Sequence, residues 1–543
     1  MKYVVVIFAI FTSTLVNAQS TEQKPKLVVG IVVDQMRNEY LQRFEDKFGD
    51  DGFKKLMREG FYGANHHFSY MPTSTGPGHA SIYTGTTPGV HGIVANNWYD
   101  RQKKKKIYCA EDRSVKTIGA MNDRGQMSPA NLQVTTITDE LKLFWNKRSK
   151  VIGVSIKDRG AVLPAGHLAD GAYWLSENKF ISSSFYFDEL PKWVEDFNSQ
   201  NLVEDYIREG WQPSLPISEY EASLTDENPY EVTWAGEDTP VLPKNLKKLA
   251  RENGKRKVLT LTPFGNSFVT AFAKSAIESE NLGSDGITDF LAMSYSSPDY
   301  IGHAYGPRAI ELEDNYIKLD REIASLLNFL DQKVGEGNYT VFLTADHGVA
   351  EVGQFSLDEN LPGGYINTEK GLAFLDSLLL SIHPLGMELV EEIEGNQLFF
   401  DSEKLREADL ELDDLSEEVA VSLNNLDHIY AAYPAYDVYM SGGAGEFPMN
   451  LIYRGLHPKL RGDVVWLIKS GYMDYGSVGS THGSAWNYDT HVPLLMYGKN
   501  IQPGITYRET HIRDIAPTLS MICGIPLPSG CTGTPIPEVL NKQ

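Results

Sequence analysis

Cysteine is scarce: 543 residues contain only Cys109, Cys523 and Cys531. Their spacing offers neither a thiolate zinc cluster nor a disulfide framework. Cys523 and Cys531 could close a small loop, which would leave Cys109 over. Basic charge is also short. Lys and Arg number 49 against 72 Asp and Glu, a formal net charge of −23. That excludes a nucleic-acid binder, which needs a basic face. There is no internal repeat and no low-complexity tract. Beyond residue 20 no apolar run is long enough to span a membrane.

The one long apolar stretch lies at the start. Lys2 precedes Tyr3–Val16, broken only by Thr12, Ser13 and Thr14, and Val16-Asn17-Ala18 follows. A charged start, a short apolar core and a small-residue end form an export signal. We expect residues 1–18 to be removed, giving a periplasmic or secreted chain with no stable membrane insertion. No cysteine stands at the cleavage point to carry a lipid.

The remainder alternates short apolar runs with longer amphipathic stretches. Leu27–Val33 ends at Asp34, Val151–Ile156 at Lys157, Phe290–Tyr295 leads to Asp299, and Tyr339–Thr344 leads to Asp346. Val492–Tyr497 is a further run of this kind. Such runs suit strands buried on both faces. Phe53–Glu59, Thr136–Trp145 and Glu311–Lys333 read as helices. The expected fold class is α/β, with a mainly parallel central sheet and helices on both faces. Ligands of such sheets sit at the carboxyl ends of the strands, where Asp34, Lys157, Asp299 and Asp346 fall. Residues 19–543 would form one catalytic domain. Two segments, about 165–250 (with Trp174, Phe185, Tyr186, Trp193 and Trp211) and about 360–460, break the pattern and are expected as cap insertions.

Three local patterns carry metal-ligand residues. In Ser297-Pro298-Asp299-Tyr300-Ile301-Gly302-His303, a helical turn opened by Pro298 puts Asp299 and His303 on one face. Asp346-His347-Gly348 follows a strand, where Gly348 eases a turn. Thr481-His482-Gly483 adds another histidine. Each alone reads as a cap, a turn or a loop residue. Together, each beside a buried strand, they suggest a site for a metal that accepts Asp and His, as zinc does.

These residues, with strand-borne Asp34 and Thr75 in Pro72-Thr73-Ser74-Thr75-Gly76-Pro77-Gly78-His79, resemble the alkaline phosphatase superfamily. Ala95-Asn96-Asn97-Trp98-Tyr99-Asp100, Ser155-Ile156-Lys157-Asp158-Arg159 and Asp514-Ile515-Ala516-Pro517-Thr518 extend the likeness. It runs from about Lys26 to about Pro535 and is greatest to the PafA-type, monomeric alkaline phosphatases with a threonine nucleophile. The resemblance implies two zinc ions per chain. Asp299, His303 and His482 would hold the first. Asp34, Asp346 and His347, with the Thr75 oxygen, would hold the second. It implies Thr75 as nucleophile and Asn96, Lys157 and Arg159 as contacts to the phosphoryl oxygens. The implied activity is two-step hydrolysis of a broad range of phosphate monoesters by a monomer.

The chemistry is coherent. A threonine hydroxyl needs activation, and a metal lowers its pKa. Two ions about 3.5–4 Å apart serve both ends of an in-line displacement. By formal charge, two zinc ions offset the three Asp ligands and a threonine alkoxide. Lys157 and Arg159 then supply the positive excess that a monoester dianion requires. A diester carries less charge and an additional group, so this pair favours monoesters over the diesterase alternative. A sulfatase needs a Cys or Ser followed by Pro and Arg, which Thr73–His79 lacks. Phosphoglycerate mutase-like chemistry needs a serine nucleophile. A non-catalytic relative would have lost a ligand, and none is missing. His79 is expected behind the nucleophile loop, His491 and His511 as structural residues, and Lys103–Lys106 as a solvated loop.

Overall fold

The computed structural model describes residues 24–540; the expected signal at 1–18 lies outside them. Its centre is a ten-stranded sheet. In spatial order the strands are Gly504–Thr506, Phe61–Gly63, Leu494–Gly498, Tyr339–Thr344, Leu27–Val33, Asp289–Tyr295, Val151–Ser155, Gly171–Ser176, Lys179–Ser183 and Thr117–Ile118. The five from Tyr339–Thr344 to Gly171–Ser176 are parallel. Every residue of Leu27–Val33, Asp289–Tyr295 and Tyr339–Thr344 is buried. Continuous apolar composition is what a strand covered on both faces requires. Leu494–Gly498, read from sequence as one more strand of this kind, runs antiparallel to Tyr339–Thr344. Its apolar run records burial and carries no information about direction.

Helices cover both faces. Phe53–Glu59 matches its expected span. Ile137–Phe144 starts at a capping box, in which Thr136 and Asp139 each accept the other's backbone N–H, satisfying donors a helix start leaves free. The long helix is Ile310–Leu330.

The two segments expected as caps differ. Gly171–Ser176 and Lys179–Ser183 belong to the central sheet, and the chain beyond packs into the main core through Val194, Phe197, Trp211 and Trp234. Trp174 and Trp211 are fully buried. The 165–250 segment is therefore anchored in the central sheet and the main core, not set apart from them. Its aromatic and acidic surface composition hid strands that are short and interrupted by turns. The second segment does form a lobe. Val390–Glu394, Gln397–Phe400, Val464–Ile468 and Ile429–Pro434 make an antiparallel sheet in that order. The lobe has its own core around Leu379, Leu398, Val419 and Val464. It continues past 460 to Tyr472–Met473, which pairs with Gly364–Tyr365.

Candidate active site

Asp34, Lys157, Asp299 and Asp346 all follow the carboxyl ends of central strands, and the fold brings them together. The Lys157 ammonium stands 2.7 Å from Asp34 Oδ2 and 2.6 Å from Asp299 Oδ2. It also donates to Thr75 Oγ1 at 3.3 Å. Arg159 Nη2 donates to the same hydroxyl at 3.3 Å. Thr75 is buried and opens the helix Thr75–Thr84, so its hydroxyl lies at the positive end of that helix. Lys157 and Arg159 do not reach it by strand alternation. The chain turns into the helix Asp158–Ala165 between them, with Lys157 as its N-cap residue. Arg159 Nη1 is steadied by the Tyr108 hydroxyl at 3.0 Å, and that hydroxyl donates in turn to Asp158.

Pro298 lies in the first turn of the helix Ser297–Tyr305. Asp299 and His303 share a face there, with His303 Nε2 3.1 Å from Asp299 Oδ1. His482 Nε2 lies 3.7 Å from the same oxygen. His347 Nε2 lies 3.5 Å from Asp34 Oδ1 and 3.6 Å from Asp346 Oδ2. The His347 and His482 rings stack with centroids 3.5 Å apart.

The histidine tautomers are fixed by geometry. His303 Nδ1 donates to Ser480 O at 2.7 Å, His347 Nδ1 to Gly348 O at 2.9 Å and His482 Nδ1 to Thr73 O at 2.8 Å. A carbonyl only accepts, so each Nδ1 carries a proton, and each ring turns its Nε2 toward the carboxylates. Burial holds His347 down at about 3, and burial with the neighbouring histidines holds His482 well below its usual value. Burial lowers His303 too, but Asp299 outweighs it and raises that ring.

The carboxylates feel one another. Burial, then Asp299 and Asp346, push Asp34 well above the usual range. Burial also raises Asp299, but His303 and Lys157 reverse the effect and hold it well below. Asp34 Oδ1, Asp346 Oδ2 and His347 Nε2 are buried without a hydrogen-bond partner. Ligand atoms of Asp34, Asp346 and His347 lie within 4.8 Å of one another, and so do those of Asp299, His347 and His482. Imidazole nitrogens and carboxylates suit a divalent metal such as zinc, so these residues fit such ions.

Asn96 accepts the Gly76 N–H through Oδ1 at 2.7 Å. Its amide NH₂ is then the donor end on the wall of a cleft of about 410 Å³, shared with His482, Thr481, Tyr472 and the lobe residues Glu394 and Asn396. His79 sits behind Thr75, donating to Thr75 O at 2.9 Å and meeting Ser294 Oγ at 3.0 Å. His491 donates to Ala64 O at 2.9 Å, away from the site. Lys103, Lys104 and Lys106 have mostly exposed side chains, although Lys106 reaches Glu394 at 2.7 Å. Cys109, Cys523 and Cys531 are free thiols.

Residues that sequence reading passed over complete the frame. Gly78 abuts the Asp346 turn so closely that a Cβ would stand 2.3 Å from Asp346 O. Asp489 Oδ2 accepts the backbone N–H of Gly483 at 3.1 Å and of Ser484 at 2.7 Å. Asp489 O accepts from Gly348 N at 2.8 Å. Asp489 thus ties the His482 loop to the His347 loop. No periodicity marks these residues, because the contacts that matter, Gly78 with Asp346 and Asp489 with Gly348, join distant parts of the chain.

The sequence pattern of the type I phosphodiesterase / nucleotide pyrophosphatase family matches residues 28–484. An alkaline phosphatase, PhoV of Synechococcus elongatus, is 44% identical across 96% of this chain and 94% of its own. A calcium-transporting ATPase of Myroides odoratus is 42% identical across 98% of both chains. The alkaline phosphatase PafA of Elizabethkingia meningoseptica is 40% identical across 98% of this chain and 97% of its own. A crystal structure of alkaline phosphatase PafA superposes with a TM-score of 0.91 at 40% identity, covering 95% of this chain and 99% of that one.

Proposed function

The chain belongs to the type I phosphodiesterase / nucleotide pyrophosphatase family and is a metal-dependent alkaline phosphatase acting on phosphate monoesters, and from that premise we propose that it works through a phospho-Thr75 intermediate at a two-zinc site. The observation that carries this reading is the meeting of Lys157 and Arg159, each 3.3 Å from Thr75 Oγ1, with three carboxylates and three inward-facing Nε2 atoms. Asp299, His303 and His482 would hold one ion, and Asp34, Asp346 and His347, with the Thr75 oxygen, the other. When bound, the ions supply Lewis acidity that favours a deprotonated threonine and offsets charge on the leaving oxygen.

The chain's own residues do the rest. Two cationic donors on Oγ1 favour its anionic form, because hydrogen bonds to a charged form stabilise it. Thr75 Oγ1, its proton released to solvent, forms the bond to phosphorus as the ester oxygen leaves with its electron pair and takes a proton from solvent to depart as the alcohol. Water then forms the new bond to phosphorus, the Thr75–phosphorus bond breaks, and inorganic phosphate leaves. Arg159 and the Asn96 amide orient the phosphoryl oxygens during both displacements.

Monoester preference follows from charge. Replacing Lys157 and Arg159 together with Ala should lower monoester kcat/KM roughly 10²–10⁴-fold, about 3–6 kcal/mol for two charge-assisted contacts. The diester with the same leaving group should lose at least tenfold less. Steady-state kinetics on the matched pair decides this, and equal losses would remove the charge-matching argument. Among the described residues no helix is long and apolar enough to cross a membrane. We propose export to the periplasm or beyond as a monomer, with the mature chain starting at Gln19. Intact mass of the exported protein checks that start.

A further inference from the structure

Gln35 touches both carboxylate–histidine sets, yet no step of the reaction uses it. It follows Asp34 directly and is 2% exposed. Its backbone φ is +67°, in the left-handed region that a residue with a Cβ avoids. That unfavourable turn aims its backbone N–H at Asp346 Oδ1, 3.1 Å away. Its side-chain Nε2 reaches Asp299 Oδ1 at 2.8 Å. The orientation of the amide is determined. A carboxylate paired with Lys157 only accepts, so the NH₂ faces Asp299. Oε1 then lies against Gly302, where a Cβ would stand 1.9 Å from it. Gly302 belongs to the helix carrying Asp299 and His303, so that helix has a notch shaped to admit the amide.

One residue therefore spans the two sets. Its backbone holds Asp346, which stands with Asp34 and His347. Its side chain holds Asp299, which stands with His303 and His482. It does so without adding charge to a site that already has three buried carboxylates. We propose that Gln35 is a positioning residue that fixes Asp299 relative to Asp346 and thereby sets the spacing of two bound metal ions. This rests on the two-metal reading given above.

Gln35→Gly keeps the left-handed backbone without strain and keeps the N–H to Asp346, but deletes the amide. Gln35→Met keeps the side-chain bulk and removes only the donor. The purified holoenzymes are titrated with a competing chelator, and retained zinc is measured by elemental analysis. The wild type should hold two equivalents. In both variants one equivalent should be lost at a chelator concentration 10–100-fold lower, the usual effect of removing a hydrogen bond that orients a ligand. The second equivalent should stay within about threefold of wild type. Equal weakening of both equivalents, or a Gln35→Met variant that retains metal like the wild type, overturns the proposal. If one variant fails to fold, the other decides. A wild type holding fewer than two equivalents overturns the two-metal reading itself, and this inference with it.

Discussion

A Thr75→Ala variant is expected to lose monoester turnover by roughly 10⁴-fold or more, about 5.5 kcal/mol of transition-state stabilisation, while keeping its metal and its fold. The loss is large because the variant has no atom to carry the phosphoryl group, so the two-step route closes. The fold should survive because position 75 is the first residue of a helix, where alanine is well tolerated. Metal should be retained because Asp34, Asp346 and His347 still present ligand atoms within 4.8 Å of one another. The checks are kcat and kcat/KM on a monoester with an activated leaving group, elemental analysis of the same sample, and a thermal melt. A near-normal rate in a metal-replete sample would assign the nucleophile elsewhere.

Removing metal should also have a large effect. Dialysis against a chelator is expected to leave less than about 1% of activity, since each Lewis-acid contribution is worth several kcal/mol. Added zinc should restore it. Stability should fall as well, because ions that bind only the folded chain stabilise it by mass action, about 2.7 kcal/mol for each site filled at a hundred times its Kd. The pH dependence of the stabilisation by zinc is a sharper test. Burial raises Asp346 from 3.8 to about 6, and burial with the neighbouring Asp299 and Asp346 raises Asp34 well above its usual value. A carboxyl raised in the folded state binds its proton more tightly there than in the unfolded chain. Its stabilising contribution is complete below about pH 4 and is lost as pH rises through about 6. His347 and His482, held low, act in the opposite sense, but zinc binds the deprotonated form of each of these ligands, so added zinc should raise the melting temperature more at pH 8 than at pH 5. Activity that persists after elemental analysis shows the metal gone would rule out the metal's role.

How far the site could be read from sequence depended on where its residues lie. Asp34, Asp299 and Asp346 stood out because each ends a buried strand, and the carboxyl ends of parallel strands share one edge of the sheet. Asp299 and His303 were readable as a pair because four positions make one helical turn. Lys157 and Arg159 converge because a helix starts between them, and no extended chain runs through both. The 165–250 segment misled for a related reason: its strands are short and carry aromatic and polar side chains, so composition resembled an appended cap while the chain was completing the central sheet.

The amino-acid order alone determined which long apolar runs are buried strands and which residue types can bind a divalent metal. Local periodicity and residue chemistry suffice for that. Only the tertiary structure decided that Lys157 bridges Asp34 and Asp299, that three imidazoles turn Nε2 inward, and that Gln35 links one carboxylate set to the other. Those facts depend on contacts between residues up to several hundred positions apart. The energy of such contacts is set by burial and by donor–acceptor geometry, which come into being only when the sheet and its helices pack.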